Sequence, residues 1–154
     1  MMTLMPKNKS THHWSGIAPD PENFFGFVYC IRDFANHKYY IGKKQYHSYR
    51  MKTLKGRTNR KKYKSESDWR FYTGSNDKLN LQISRLGTMS NLFDFRIIYQ
   101  FKTKGGLYYG ECEAIMLNRA VVKEYYYNGQ VSAIKFKPTE VVSDPNLLKI
   151  NEDL

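Results

Sequence analysis

The segment FFGFVYCIRDFANHKYYIG, residues 24–42, decides the fold expected for this chain. Its first part, Phe24 to Arg32, is apolar, aromatic and β-branched, which is typical of a strand. Residues Asp33–His37 have the polar side chains of a turn, and Lys38–Gly42 resumes as a short second strand. The segment therefore predicts a β-hairpin over 26–42.

Each strand of this hairpin carries a tyrosine that can serve chemistry, Tyr29 on the first and Tyr40 on the second. Directly opposite residues of an antiparallel pair lie on one face, and the two tyrosines share a face only if the loop has an even number of residues. A four-residue loop at 33–36 meets this condition. Packing in an aromatic-rich core is the alternative role for both rings.

The spacing of apolar residues predicts two helices and a further strand in the rest of the chain. Asn76 can cap a helix that Gly87 closes. Clean alternation predicts a strand over Phe93–Lys102, and a largely buried helix follows over Leu107–Val122. Residues 130–137 can form one more strand.

These elements indicate an α+β protein, in which helices flank a small three-stranded antiparallel sheet and a basic insertion follows the first hairpin. We expect one domain over 23–137, a flexible N-terminal arm over 1–22 and a C-terminal tail over 138–154. Two cysteines, Cys30 and Cys112, cannot form a disulfide framework. Because no apolar run suits a membrane span or a signal peptide, we expect a cytoplasmic protein.

Positive charge dominates the composition. The 154 residues include 25 Lys and Arg against 14 Asp and Glu, a net charge of +11. Such a field attracts polyanions, and nucleic acid is favoured over an anionic membrane because the chain has neither a basic amphipathic helix nor a lipid signal.

The charge is concentrated between Lys43 and Arg70, a stretch with 11 basic residues and two acids. We expect the run Lys55–Lys64 to be an exposed loop or a frayed helix that contacts phosphates, and a solvated linker is the alternative. The candidate contacts are Lys43, Lys55, Arg57, Arg60, Lys61, Lys62, Lys64 and Arg70.

Two motifs of the hairpin, Gly26-Phe-Val-Tyr29 and Tyr40-Ile-Gly42, resemble the pair that names the GIY-YIG nuclease superfamily. The first motif is relaxed here, because two residues stand between its glycine and its tyrosine. The later order of an arginine, a strand, a helix with a glutamate and then an asparagine is also similar, over about residues 24–130. The segment WRFYTGS, residues 69–75, resembles one found in small phage-type members.

The resemblance implies a homing or phage-type endonuclease, with a small restriction enzyme as the next variant. Water would attack a DNA phosphodiester with the help of Mg²⁺ or Mn²⁺. Tyr29 or Tyr40 would take or relay the proton of that water. A free tyrosine has a pKa of about 10, so the nearby cations Lys43, Lys44 and Arg50, together with the metal, would have to lower it.

The implied metal ligand is a glutamate on the second helix. Glu111 and Glu113 are two residues apart, about 200° around a helix, so they cannot both point into one site. The resemblance selects Glu113, and a single carboxylate completed by water and substrate phosphate suits Mg²⁺. A salt bridge from Glu113 to Arg119 or to a nearby lysine is the alternative.

Three further roles follow from the resemblance. Arg50 would clamp the scissile phosphate, with Lys44 or Arg70 as alternatives because the basic insertion follows closely. Asn128 would orient a ligand or phosphate, although Asn-Gly is also a common turn. The family's helix often supplies a histidine, and the local candidate, His47, stands at a different position.

Two functions therefore compete. The first is a metal-dependent DNA endonuclease, and the second is a non-catalytic nucleic-acid-binding module on the same fold. A binding module has no need of a buried carboxylate, so the set Tyr29, Tyr40 and Glu113 favours the enzyme. Specificity would come from the basic insertion, the N-terminal arm or assembly into a homo-oligomer.

Overall fold

The computed structural model describes residues 11–53, 56, 60–88 and 91–153, with the backbone alone at 52, 53, 60 and 61. Ten elements follow one another along this part of the chain: strands β1 (Trp14–Gly16), β2 (Gly26–Asp33), β3 (Lys38–Gln45), β4 (His47–Thr53) and β5 (Arg60–Glu66), a 3₁₀ turn (Trp69–Phe71), helix α1 (Asp77–Leu86), strand β6 (Phe93–Phe101), helix α2 (Lys104–Leu117) and a second 3₁₀ turn (Pro145–Leu148). None of the described helices is long and apolar enough to cross a bilayer.

The main sheet has four strands in the order β1-β6-β2-β3, and β4 with β5 forms a separate two-stranded sheet. Strand β2 is antiparallel to both of its neighbours, β6 and β3, whereas β1 runs parallel to β6. The α+β class is confirmed. The sheet is mixed and larger by one strand than the three-stranded antiparallel sheet that the sequence predicts.

The added strand comes from the predicted flexible arm. Trp14 is only 6% exposed, and its indole N–H donates to the carbonyl of Trp69 at 2.7 Å. Its ring also packs against Phe27 and Tyr29. The described part of the arm, residues 11–22, is therefore held on the domain, because burying an indole with a satisfied N–H is favourable.

The hairpin of β2 and β3 has the predicted even number of loop residues, which places its two tyrosines on one face. Tyr29 lies opposite Gly42 and Tyr40 lies opposite Ile31, so both tyrosines face the same side of the sheet. Their ring centroids are 6.3 Å apart. The loop has the expected four residues, one position later than predicted, at 34–37.

Apolar side chains of β2 alternate between two cores, one on each side of the sheet. Phe27, Tyr29 and Ile31 join the core on the α1 side. Val28 and Cys30 join the core on the α2 side. A strand with both faces covered is apolar throughout, which explains why β2 reads as a continuous apolar run.

Both predicted helices form, with one shifted boundary. Helix α1 has the expected caps: Asn76 Oδ1 accepts from the Leu79 N–H at 3.0 Å, and Gly87 follows with a positive φ of 86°. Helix α2 begins at Lys104 and stops at Leu117, short of the predicted Val122. It stops there because the Asn118 amide donates back to the Ala114 carbonyl at 2.7 Å, and the next residue takes a positive φ.

The residues expected to form a C-terminal tail pack on α2 instead. Leu148 is fully buried and Ile150 is 6% exposed. The Asn118 side chain donates to the Leu148 carbonyl and accepts from the Ile150 N–H, each at 2.8 Å. The described part of 138–154 therefore belongs to the domain, and the strand predicted over 130–137 is not formed.

The described parts of the basic insertion form two paired strands, so the loop or frayed helix predicted over 55–64 is wrong for residues 60–64. Strands β4 and β5 pair from His47 opposite Glu66 to Thr53 opposite Arg60. Alternating tyrosine, serine and methionine residues favour such a ladder despite the charge. Lys55 and Arg57 lie outside the described residues.

We expect Trp14→Ala to lower the free energy of unfolding by about 3–5 kcal/mol, because it empties a buried indole site and orphans a carbonyl. Urea denaturation followed by circular dichroism would measure this. The matched control is Ile17→Ala in the same segment, where the side chain is 40% exposed and little should change. Equal stability of Trp14→Ala and wild type would show that residues 11–22 are not part of the folded unit.

Candidate functional site

Three tyrosines and a serine form a hydrogen-bonded group beside β3, here called the tyrosine cluster: Tyr29, Tyr40, Tyr72 and Ser75. Tyr29 and Ser75 both reach the Tyr72 side chain, and the Tyr29 and Tyr72 ring centroids are 6.1 Å apart. Ser75 Oγ lies 2.9 Å from the Tyr40 hydroxyl oxygen. Tyr29 is only 1% exposed, whereas Tyr40 is half-buried, so Tyr40 presents the cluster to solvent.

Two glycines make room for these phenols. A Cβ at Gly42 would lie 2.2 Å from the Tyr29 hydroxyl oxygen, which no side chain could tolerate. Gly74 has a φ of +86°, and a Cβ there would lie 3.1 Å from the Tyr40 ring. The glycine of the second motif is therefore required by the tyrosine of the first.

The protein's own groups raise the pKa values of Tyr29 and Tyr72. Burial, and then the neighbouring Tyr72, Tyr40 and Glu111, hold the pKa of Tyr29 well above its ordinary value of 10. Burial also raises the pKa of Tyr72. Tyr29 is consequently a hydrogen-bond donor at neutral pH, and the expected lowering of its pKa by nearby lysines is not found.

A polar groove of about 410 Å³ opens next to the cluster, along the free edge of β3. It brings Tyr40 and Ser75 of the cluster together with Glu111 of α2. The Glu111 side chain is 13% exposed, and its Oε1 lies 2.9 Å from Lys43 Nζ. The other polar residues that line this β3–α2 groove are Asn76, Asn128, Gln130 and Ser132.

Glu113, the glutamate that the resemblance selects, is not among the residues that line this groove. Its Oε1 is buried without a hydrogen-bond partner in the described part of the chain, and burial raises its pKa. The two glutamates lie on different sides of α2, as the helix geometry requires. The carboxylate beside Tyr40 is thus that of Glu111.

Asn128 lies in the groove wall and bonds to the edge strand. Its Oδ1 accepts from the Ile41 N–H at 2.9 Å, and its Nδ2 donates to the Ile41 carbonyl at 2.8 Å. Tyr127 N–H also donates to the Tyr39 carbonyl at 2.7 Å. Both amide atoms of Asn128 are therefore engaged in fixing the chain after α2 against β3.

Of the three cations considered as a phosphate clamp, Lys44 lies nearest to the tyrosine cluster. Its Nζ is 4.1 Å from the Tyr72 ring centroid and 2.6 Å from Asp68 Oδ1. Arg70 stacks on Trp69 and pairs with Glu66 at 2.7 Å.

The other two basic candidates, Arg50 and His47, lie on β4, outside the residues that line the groove. Arg50 is exposed. Burial, followed by the charge of Lys64, lowers the pKa of His47. Neither side chain therefore lines the groove beside Tyr40 and Glu111.

The sequence missed several members of the site. Tyr72 and Ser75 belong to the WRFYTGS segment, whose resemblance to phage-type members was the available signal. His13 is a further member, because its Nε2 lies 2.8 Å from the Tyr72 carbonyl oxygen and burial lowers its pKa to about 4. Nothing in the sequence alone links His13 to residues so distant in the chain.

The family model described as putative endonuclease segE, GIY-YIG domain, matches residues 10–131. This range contains the tyrosine cluster, the β4–β5 hairpin and Asn128. The chain therefore belongs to this GIY-YIG endonuclease family. No curated protein and no solved structure matches it significantly.

We expect Gly42→Ala to lower the free energy of unfolding by about 1–3 kcal/mol, because its Cβ would collide with the Tyr29 phenol. Thermal melts would measure the loss. Gly129→Ala is the matched control, since a Cβ at Gly129 meets nothing within 4 Å. If both variants melt like wild type, Tyr29 does not pass over Gly42.

The raised pKa of Tyr29 predicts a stability difference at alkaline pH. A buried neutral phenol stabilises the fold below pH 10, and above it the unfolded chain ionises first, so this contribution falls by up to about 1.4 kcal/mol per pH unit. Urea titrations at pH 8 and pH 11 should therefore show a smaller alkaline loss for Tyr29→Phe than for wild type. Identical losses would contradict the burial of this hydroxyl.

Proposed function

We propose that the β3–α2 groove is the active site of a metal-dependent endonuclease that hydrolyses DNA phosphodiester bonds by attack of an activated water. The observation that carries this proposal is the meeting of the Glu111 carboxylate and Lys43 with the exposed members of the tyrosine cluster, Tyr40 and Ser75, in a polar groove. Membership of the GIY-YIG endonuclease family supports the reaction class.

The donor set of the groove fits a hard divalent cation such as Mg²⁺ or Mn²⁺. Glu111 offers carboxylate oxygens in a groove open to water, and Mg²⁺ commonly takes one or two carboxylates and completes its shell with water and substrate phosphate. Among the residues that the structure describes, no three His, Cys, Asp or Glu side chains converge, so Glu111 would be the main protein ligand. A bound cation would supply Lewis-acid stabilisation of the phosphate and a lower pKa for its water.

The tyrosines would handle the proton. Tyr40 lies at the groove, and its hydroxyl is within hydrogen-bond distance of Ser75. Tyr40 would relay the proton: its oxygen would accept a proton from the attacking water while its own hydroxyl proton passes to solvent water in the open groove, and Ser75 would hold the phenol in place. Tyr29, held protonated, would keep the Tyr72 oxygen oriented as an acceptor.

Lysines near the groove would stabilise the charge that develops on the phosphate. Lys43 already lies against Glu111 and can turn to a phosphate oxygen when a cation occupies that carboxylate. Lys44 lies against Tyr72 and is the better clamp candidate than Arg50, which is exposed on β4. Asn128 would serve by fixing the groove wall.

One observation favours the competing function, a binding module without catalysis. The Lys43–Glu111 ion pair neutralises the carboxylate that a metal needs. In a non-catalytic protein this pair would simply stabilise the edge of the sheet. Cleavage assays separate the two functions.

We expect Glu111→Gln to lower the rate of supercoiled-plasmid cleavage with Mg²⁺ or Mn²⁺ by about 100-fold or more, because the metal loses its carboxylate. The matched control is Glu113→Gln on the same helix, which should cut within a few-fold of wild type. Gel electrophoresis of timed digests, with EDTA as the metal-free arm, gives the rates.

Other outcomes of the cleavage assay would contradict specific parts of the proposal. Loss of cleavage in Glu113→Gln but not in Glu111→Gln would return the metal to Glu113. Undiminished cleavage in EDTA would remove the metal from the reaction. No cleavage by folded wild type under any condition would favour the binding module.

A further inference from the structure

Strands β4 and β5 form a projecting two-stranded sheet, here called the basic ribbon, residues 47–66. Its strands pair with each other in a sheet separate from the main one. The chain carries no Asp or Glu from residue 34 to residue 65, whereas the ribbon contains eight Lys and Arg. A surface of this charge and shape fits an extended polyanion.

The ribbon has two different faces, because successive residues of a strand alternate and opposite residues share a face. The inner face contacts the domain through Tyr49, whose ring stacks on Phe25 with the centroids 6.2 Å apart and an angle of 7° between the planes. Lys62 Nζ lies 4.6 Å from the same Tyr49 ring.

The outer face carries the opposite pairs Ser48–Ser65 and Arg50–Tyr63. Arg50 is exposed, and Tyr63 is 37% exposed. All four side chains can donate hydrogen bonds, and none is negatively charged. The guanidinium of Arg50 therefore lies on an exposed polar face, opposite the face on which Tyr49 stacks on Phe25.

We propose that the outer face of the basic ribbon enters the major groove of duplex DNA and that Arg50 reads a guanine there. Neighbouring strands lie about 4.8 Å apart, and the major groove, about 12 Å wide, admits a two-stranded ribbon. Arginine binds the O6 and N7 acceptors of guanine with two hydrogen bonds. Inner-face lysines such as Lys62 would then contact flanking phosphates without reading sequence.

The join between the ribbon and the domain supports a fixed reading position. Tyr46, just before β4, is fully buried and donates to Gln100 Oε1 at 2.5 Å. Ser67, just after β5, donates through its N–H to the Tyr46 carbonyl at 2.9 Å and through Oγ to the Gln45 carbonyl at 2.6 Å. The two strands of the ribbon therefore leave the domain from one hydrogen-bonded point, which follows Lys44 and precedes Tyr72 in the chain.

This inference rests on the proposed function for its duplex substrate, but its test does not need cleavage. The full chain is incubated in EDTA with a pool of random-sequence duplexes, and bound molecules are recovered and sequenced. We expect wild type to enrich a guanine at one position. Arg50→Ala should lose that preference and bind the selected duplex about 10-fold more weakly, while random duplex changes less.

Two matched variants separate reading from charge. Arg50→Lys keeps the charge but lacks the two-pronged donor, so it should bind random duplex like wild type and lose the guanine preference. Lys62→Ala should keep the preference, weaken all duplexes alike and reduce the slope of log K against log salt by about 0.9. Circular dichroism melts confirm that each variant is folded.

A chemical probe tests the groove itself. Replacing the selected guanine with 7-deazaguanine removes the N7 acceptor from the major groove. Wild-type binding should fall several-fold toward the level of Arg50→Ala, and Arg50→Ala should be unaffected.

Any of four results would overturn the proposal: no base preference in wild type, a preference retained by Arg50→Ala, no effect of 7-deazaguanine, or equal binding of double-stranded RNA, whose major groove is too narrow. Sequence-specific binding in EDTA by a chain that never cuts would leave the proposal intact and refute only the proposed hydrolysis.

Discussion

The phenol of Tyr29 can cross to the edge of the sheet only because Gly42, its cross-strand partner, has no side chain. That single close approach joins the two sequence motifs into one piece of structure, with the first motif supplying the hydroxyl and the second supplying the space. The Tyr72 side chain lies within reach of this hydroxyl, and Ser75 joins Tyr72 to Tyr40. The arrangement is rigid, because every phenol in it has a bonded partner or a packed ring.

The free edge of β3 is where the two cores of the domain meet. Tyrosines reach this edge from the α1 side and Glu111 reaches it from the α2 side, so the groove combines groups that the sheet otherwise separates. Unpaired backbone at a sheet edge normally invites aggregation, and here Asn128 and the preceding tyrosines pair with part of it. The remainder stays open as the groove.

The sequence predicted the elements that carry strong local signals. The hairpin, its parity, the capped helix α1 and strand β6 all follow from periodicity and turn chemistry in contiguous residues. Strand β1 was not predicted, because three residues are too few to show a periodic pattern. Its position depends on the carbonyl of Trp69, which is distant in the sequence. The β4–β5 ribbon was not predicted, because its high charge favoured a loop. The alternating pattern of Tyr49, Met51 and Tyr63 becomes visible only when these residues are placed on strands. Helix geometry correctly predicted that only one of Glu111 and Glu113 can face the groove. Which of the two does so depends on the rotation of α2 relative to β3, and tertiary packing alone fixes that rotation.

The hydrogen-bonded join between Tyr46 and Ser67 makes the geometry of the groove independent of the length of the ribbon. Strand pairs added to or removed from the far end would move the tip by about 3.4 Å per pair, roughly one base-pair step of duplex. Such changes would leave the join between Tyr46 and Ser67 undisturbed, and with it the phenols and Glu111. A lineage built on this plan could therefore adjust the distance between the bases that it recognises and the bond that it attacks one step at a time, by insertions and deletions in a surface hairpin.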